Sequence, residues 1–151
     1  MIELKEISIV EYPKFFHNLR ELHQDQSKSP VHPDSPLEEA DRMTRRFLQE
    51  GLNTRDHFLY RIMEQDQDVG YLWAGKEKDR PGFIQIWDMM IYQPYRRKGH
   101  GQEAMKALEV LLKSQGVKGL DLHVGSANQE AINLYNTLGF HVTDLVMHKS
   151  L

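Results

Sequence analysis

The chain has 151 residues, 40% hydrophobic and 27% charged, which suits one soluble domain spanning residues 1–151 with room for a sizeable core. It contains no cysteine, which excludes disulfides, thiolate zinc sites and a cysteine nucleophile. A net charge of −3 with a pI near 6.2 gives no general attraction for nucleic acid, so none is expected as a partner.

Ile2 to Val10 reads as an opening strand, and Phe15, Phe16, Leu19 and Leu22 follow at helical spacing. Gln24 to Ser35, rich in Ser, Pro, His and Asp, reads as a loop. Ser35-Pro36-Leu37-Glu38 then starts a second helix with an N-cap, an early proline and a capping-box glutamate; Ala40, Met43 and Phe47 mark its face and Gly51 ends it. His57 to Met63 and Val69 to Ala74 predict an antiparallel hairpin turning at Gln65-Asp66-Gln67-Asp68. After a turn at Asp79-Arg80-Pro81-Gly82, Phe83 to Ile91 is the most apolar run and predicts a central strand.

Beyond Gly101, Ala104, Met105, Leu108, Leu111 and Leu112 predict an amphipathic helix closed by Gly116. Leu120 to Val124 predicts a short strand, Asn128 to Leu138 a helix ended by Gly139, and Phe140 to Lys149 one or two last strands. Strands joined through one helix tend to run parallel and hairpins antiparallel, so the fold class is α/β with a mixed (α+β) sheet flanked by about four helices. No apolar run approaches the ~18 residues of a membrane span. Met1 to Glu6 lacks the pattern of a signal peptide, so a cytoplasmic protein without a membrane partner is expected.

The informative segment is Tyr92-Gln93-Pro94-Tyr95-Arg96-Arg97-Lys98-Gly99-His100-Gly101, between the central strand and the helix. A helix N-terminus offers unpaired amides and about half a positive charge. The glycines let an anion approach the backbone, and the cations attract it; a diphosphate fits this chemistry. Gly99-His100-Gly101-Gln102-Glu103-Ala104 also spells the dinucleotide pattern G-x-G-x-x-A, with Asp121 about 20 residues on. A basic loop separates these glycines from the strand, and Asp121 falls near the start of its strand rather than the end, so that reading is rejected.

Arg96, Gly99 and Gly101 fill the pattern R-x-x-G-x-G, and Asn128 to Phe140 fills N-x-x-A-x-x-L-Y-x-x-x-G-F. Together these resemble the two signatures of the GNAT family of N-acetyltransferases, and the match covers Phe83 to Phe140. The resemblance implies the GNAT fold and transfer of acetyl from acetyl-CoA directly to a primary amine. It implies that the strand before the motif and the one after it splay apart, with the pantetheine arm along Met89, Met90 and Ile91. It places the pyrophosphate on the Arg96, Arg97, Lys98, Gly99, His100 and Gly101 turn, and Asn128 near the pantetheine or thioester. It implies that Tyr135 protonates the departing thiolate. A non-catalytic CoA-binding regulatory module of the same fold is the alternative, and the family is compatible with a homodimer.

An amine of pKa near 10.4 is neutral in under ~1 in 1,000 molecules at pH 7, so deprotonation needs a base or a water chain. Asp88, on the central strand, is the candidate base and His123 its rival. Without the motif, Tyr135 reads as a core tyrosine beside Ala131 and Leu138, and Asn128 as a helix start. The eight histidines lack metal-ligand spacing, so no metal is expected. The acceptor is expected to meet Phe15 to Gly51 and the C-terminal strands. Asp25, Asp34, Glu38, Glu39 and Asp41 there can steer a cationic amine.

Overall fold

The computed structural model describes residues 1–7 and 56–151. The helices read at Phe15–Leu22 and Ser35–Gly51, the loop at 24–35, the end of the first strand and the acidic acceptor rim lie outside the described residues. A mixed five-stranded sheet runs β1-β2-β3-β4-β5 in both chain and spatial order. Its strands are β1 (Ile2–Glu6), β2 (His57–Glu64), β3 (Gln67–Lys76), β4 (Phe83–Ile91) and β5 (Gly119–Leu122). The first four pair antiparallel and β4 pairs parallel with β5. The parallel step needs a crossover, which helix α1 (His100–Ser114) supplies. Helix α2 (Gln129–Thr137) follows β5.

Helix α1 lays Ala104, Met105, Leu108 and Leu112 on Ile62, Leu72, Ala74, Ile84 and Ile86 of the sheet. Met105 and Leu108 are fully buried. The opposite sheet face carries a second apolar cluster of Ile7, Leu59, Tyr71, Trp73 and Met90.

The hairpin is tighter than its sequence implies. Glu64 pairs with Gln67, so only Gln65 and Asp66 form the turn, with Gln65 in the left-handed region at φ 53°. Gln67 and Asp68 look like turn residues but extend β3, because ladder bonding outweighs weak local preference.

The chain end corrects the sequence reading: residues 140–151 form neither helix nor strand. Val142, Leu145, Val146 and Met147 have strand character, yet a strand exists only where an edge accepts its hydrogen bonds. Among the described residues, the hydrogen bonds beyond Phe140 are local, Thr143 Oγ1 to Asp144 and His148 with Ser150.

Candidate active site

The β4–β5 ladder is short. It pairs Phe83 with Gly119 and ends at Ile86 with Leu122, while β4 runs on to Ile91. The two strands therefore part company for the last five residues of β4, Trp87 to Ile91. Backbone alternation shows which groups face the gap. Tyr92 N–H donates to Val69 O at 2.9 Å, toward β3, so Met90 also points its main chain toward β3. The main-chain groups of Met89 and Ile91 then face the open side. Ile91 O there accepts Arg96 Nε at 2.8 Å. Met90 belongs to the β3 ladder, opposite Tyr71, and its side chain is buried in the second cluster.

At the mouth of this gap, a 3-10 turn over Gln93–Tyr95 leads into α1. The N-cap is Gly99 at φ 84°, a conformation that favours glycine, and no side chain caps the helix. Arg97 also sits in the left-handed region, at φ 62°. A Cβ built on Gly99 meets nothing within 4 Å, so the turn is open. A Cβ at Gly101 would lie 3.3 Å from Leu134 Cδ2, which marks where α2 closes over the start of α1. The turn thus presents the first amides of a helix, plus Lys98 and Arg97, to an anion. Lys98 Nζ lies 6.0 Å from the Tyr95 ring centre, and Tyr95 Oη accepts Gln67 Nε2 at 2.8 Å. His100 is half-buried at the first turn.

A bulge decides where Asp88 points. Ala74 pairs with Ile86 and Trp73 with Asp88, leaving Trp87 as an extra residue in β4. Before the bulge, Ile84 and Ile86 face α1; after it, Met89 and Ile91 do. The slip moves Asp88 off the α1 face, where an unbroken strand would bury it in the apolar core. Asp88 instead joins Tyr71 and Trp73 on the other face, and Tyr71 Oη donates to Asp88 Oδ2 at 2.7 Å. Burial, then the Asp88 charge and hydrogen bond, hold the Tyr71 hydroxyl well above the usual tyrosine range. Trp73 Nε1 donates to His57 Nδ1 at 2.9 Å, and the Trp87 ring lies along His57 at 6.2 Å between centres. Burial of the His57 ring lowers its pKa.

Tyr135 approaches the gap from α2. Burial pushes its hydroxyl up to about 12, and the Asp88 carboxylate adds to that, so the two groups sense each other. Its ring meets Phe140 edge-on at 5.6 Å. Phe140 N–H donates to Tyr135 O at 2.9 Å and Gly139 N–H to Asn136 O at 3.1 Å, a Schellman closure that ends α2 beneath the tyrosine. Asn128 caps α2, its Oδ1 accepting Ala131 N–H at 3.2 Å. His123 follows β5 in an exposed position, its Nδ1 2.7 Å from Gln85 Nε2.

Asp88 and Tyr135 are thus brought within electrostatic reach, and Met89, Ile91 and the Gly99 turn border one gap, while His123 meets Gln85 of the ladder. Two features escape sequence reasoning. The Trp87 bulge is legible only as a phase break in the β4 pattern, even-numbered isoleucines giving way to Met89 and Ile91, and the apolar Trp87 and Met90 hide it. Tyr71, the partner of Asp88, lies 17 residues away with no spacing signal. The fold also brings one ligand atom each of Glu64, His100 and Glu103 within 4.8 Å of one another. Glu64 already accepts the Met1 ammonium at 3.1 Å.

The fold and the open turn define a protein that can hold an anion at the mouth of a splayed strand pair, and comparison supplies its class. The sequence matches the acetyltransferase (GNAT) family over residues 16–140. It is 41% identical over 108 residues to the uncharacterized N-acetyltransferase YycN of Bacillus subtilis (strain 168), covering 69% of this chain and 68% of that protein. The crystal structure of the putative acetyltransferase YycN from Bacillus subtilis superposes with a TM-score of 0.86 at 30% identity, over 100% of this chain and 99% of that one. The aminoglycoside acetyltransferase AAC(6')-Iy, solved with the bisubstrate analogue CoA-S-monomethyl-acetylneamine, shares the fold at a TM-score of 0.67 and 15% identity, over 100% and 98% of the two chains. The chain belongs to the GNAT family of acetyltransferases. Among the described residues, no helix is long and apolar enough to cross a membrane.

Proposed function

We propose that the chain is a single domain, residues 1–151, that takes acetyl from acetyl-CoA and gives it directly to a primary amine in the cytoplasm. The observation that carries this reading is the gap between β4 and β5, bordered by open strand groups and facing an uncapped helix turn. An extended pantetheine arm can pair with Met89 and Ile91 as an added strand. The amides of the Arg97–Gly101 turn receive the pyrophosphate, with Lys98 and Arg97 supplying charge. Arg96 braces the turn through Ile91 O. Asn128 uses Oδ1 in its cap, which leaves its amide N–H donors for the arm.

In this reading Asp88 accepts a proton from the ammonium, directly or through water, and the neutral amine attacks the thioester carbonyl. The oxyanion forms near the Met89 N–H, which faces the gap. Collapse expels the CoA thiolate. A thiol has a pKa of about 8.5, far below the value of about 12 for Tyr135, so the tyrosine assists as a hydrogen-bond donor and full proton transfer runs uphill. That asymmetry makes Tyr135 helpful rather than indispensable.

The test is thiol release from acetyl-CoA across a panel of polyamines, amino acids, peptides and aminoglycosides, with Asp88→Asn alongside. Turnover with at least one amine is expected, falling roughly 100-fold in Asp88→Asn while CoA affinity is retained. CoA binding without release from any amine would favour the regulatory module, and absence of CoA binding would remove the reading altogether.

A further inference from the structure

Away from the gap between β4 and β5, one group of side chains has the chemistry of a metal centre. Glu64 ends β2, and His100 and Glu103 lie in the first turn of α1. Residues three apart on a helix share a face, so His100 and Glu103 can act on one point. One ligand atom from each of Glu64, His100 and Glu103 lies within 4.8 Å of the other two. The main-chain amide of His100 belongs to the anion-seeking turn, but its ring reaches the end of β2 instead. Spacing among the histidines alone does not reveal this set, because the pattern His100-Gly101-Gln102-Glu103 pairs a histidine with a glutamate.

A second observation, independent of the spacing, points to a cation. His100 Nδ1 and Glu64 Oε2 are both buried, and neither has a hydrogen-bond partner among the described residues. They do not satisfy each other either. A buried polar atom left in that state costs about 1–3 kcal/mol, and more when it is charged. Glu64 gives Oε1 to the Met1 ammonium at 3.1 Å, so Oε2 is its unsatisfied end. An imidazole nitrogen and a carboxylate oxygen each have a lone pair to give, and one cation between them satisfies both.

We propose that Glu64, His100 and Glu103 form a binding site for a divalent transition-metal ion, zinc above all. Magnesium and calcium take oxygen ligands, whereas an imidazole in the set favours zinc. Three protein ligands leave a fourth position for water. Zinc bonds of about 2.0–2.2 Å put tetrahedral ligands about 3.4 Å apart, so the side chains draw in on the ion. Glu103 is the exposed member and swings to do so, while Glu64 and His100 are half-buried and held by β2 and α1. The bound ion ties the end of β2 to the first turn of α1.

The site needs no acetyl donor, so its test stands apart from the acetyl-transfer reading. The intact chain is stripped with a chelator and titrated with zinc chloride alone by calorimetry. One ion per chain is expected, with micromolar affinity or better. Glu103→Gln, at an exposed position, should weaken binding at least tenfold and leave the circular dichroism of the metal-free chain unchanged; His100→Gln should weaken it as much. Zinc should raise the Tm of the native chain and not that of Glu103→Gln, since only the folded site gathers the ligands. Cobalt(II) in place of zinc should give visible absorption bands that His100→Gln removes. The double variant His141→Gln and His148→Gln, at exposed histidines of the tail, should bind zinc as the native chain does. Absence of zinc binding at millimolar metal would overturn the proposal. So would binding that survives both Glu103→Gln and His100→Gln, binding lost with the tail histidines, or magnesium binding as tight as zinc.

Discussion

The sheet between His57 and Lys76, with β4 and α1 behind it, and the stretch from Lys113 to Leu151 differ in how they are held. In the first, Ile62, Leu72, Ala74, Ala104, Met105 and Leu108 are fully buried, and β2, β3 and β4 share long ladders interrupted by one register shift each. In the second, β5 holds on by four residue pairs, α2 is half-covered and the tail is exposed. The proposed chemistry straddles the two. Asp88 sits on the rigid platform, fixed by a buried tyrosine, while Tyr135 rides on the lightly held helix. Local opening is cheapest where few apolar contacts oppose it, so the second region is the one able to yield to an arriving ligand.

The largest expected effect sharpens that contrast. Leu108→Ala should cost about 3 kcal/mol in urea unfolding, whereas Leu138→Ala in the half-covered region should cost about 1 kcal/mol or less. Equal costs would erase the distinction. Next, Tyr71→Phe removes the buried donor to Asp88 and should lower stability by about 1.5 kcal/mol. It should also slow turnover with little change in the KM for acetyl-CoA, because Tyr71 holds Asp88, whereas the arm is proposed to pair with the main chain of Met89 and Ile91. Tyr135→Phe should slow kcat by roughly tenfold and leave global stability nearly unchanged, in keeping with a hydrogen-bond role on the looser helix. An unchanged kcat would remove Tyr135 from the chemistry.

The smallest effect lies at the seam of the two regions. Glu77, just past β3, shares a hydrogen bond with Asp121 of β5, and Arg80 pairs with Asp121 and lies over the Phe83 ring at 4.0 Å. Burial first, then Asp121, pushes the Glu77 carboxyl from 4.5 up to about 7. The folded state therefore holds a proton that the unfolded chain has lost. The stability this contributes is fully present below pH 4.5 and disappears as pH rises through about 7. Glu77→Gln should gain on the native chain as pH goes from 5 to 8, read as the difference in Tm. A constant difference across that range would show that the seam does not titrate.

Most of the element order was legible because periodicity survives in the chain. Ala104, Met105, Leu108 and Leu112 repeat at the helical interval, and Gly99, Gly116 and Gly139 mark ends that the structure keeps. The proposed catalytic neighbourhood was legible only in part. Arg96 to Gly101 announce an anion-seeking turn, since charge and glycine are written in the residues themselves. Asp88 could be nominated but not oriented, because its direction depends on the extra residue at Trp87, and a bulge is settled by how two strands fit.

By itself, the sequence determined the crossover helix, the open turn before it and the Asn128-to-Gly139 helix, all of which follow from local preferences and apolar spacing. Only the tertiary structure decided that β5 stops at Leu122 while β4 continues, that Tyr71 reaches Asp88, and that residues 140–151 form no strand with the described residues. Those outcomes depend on which edges are left free once the sheet has formed, and a free edge is a property of the assembled layers rather than of any segment.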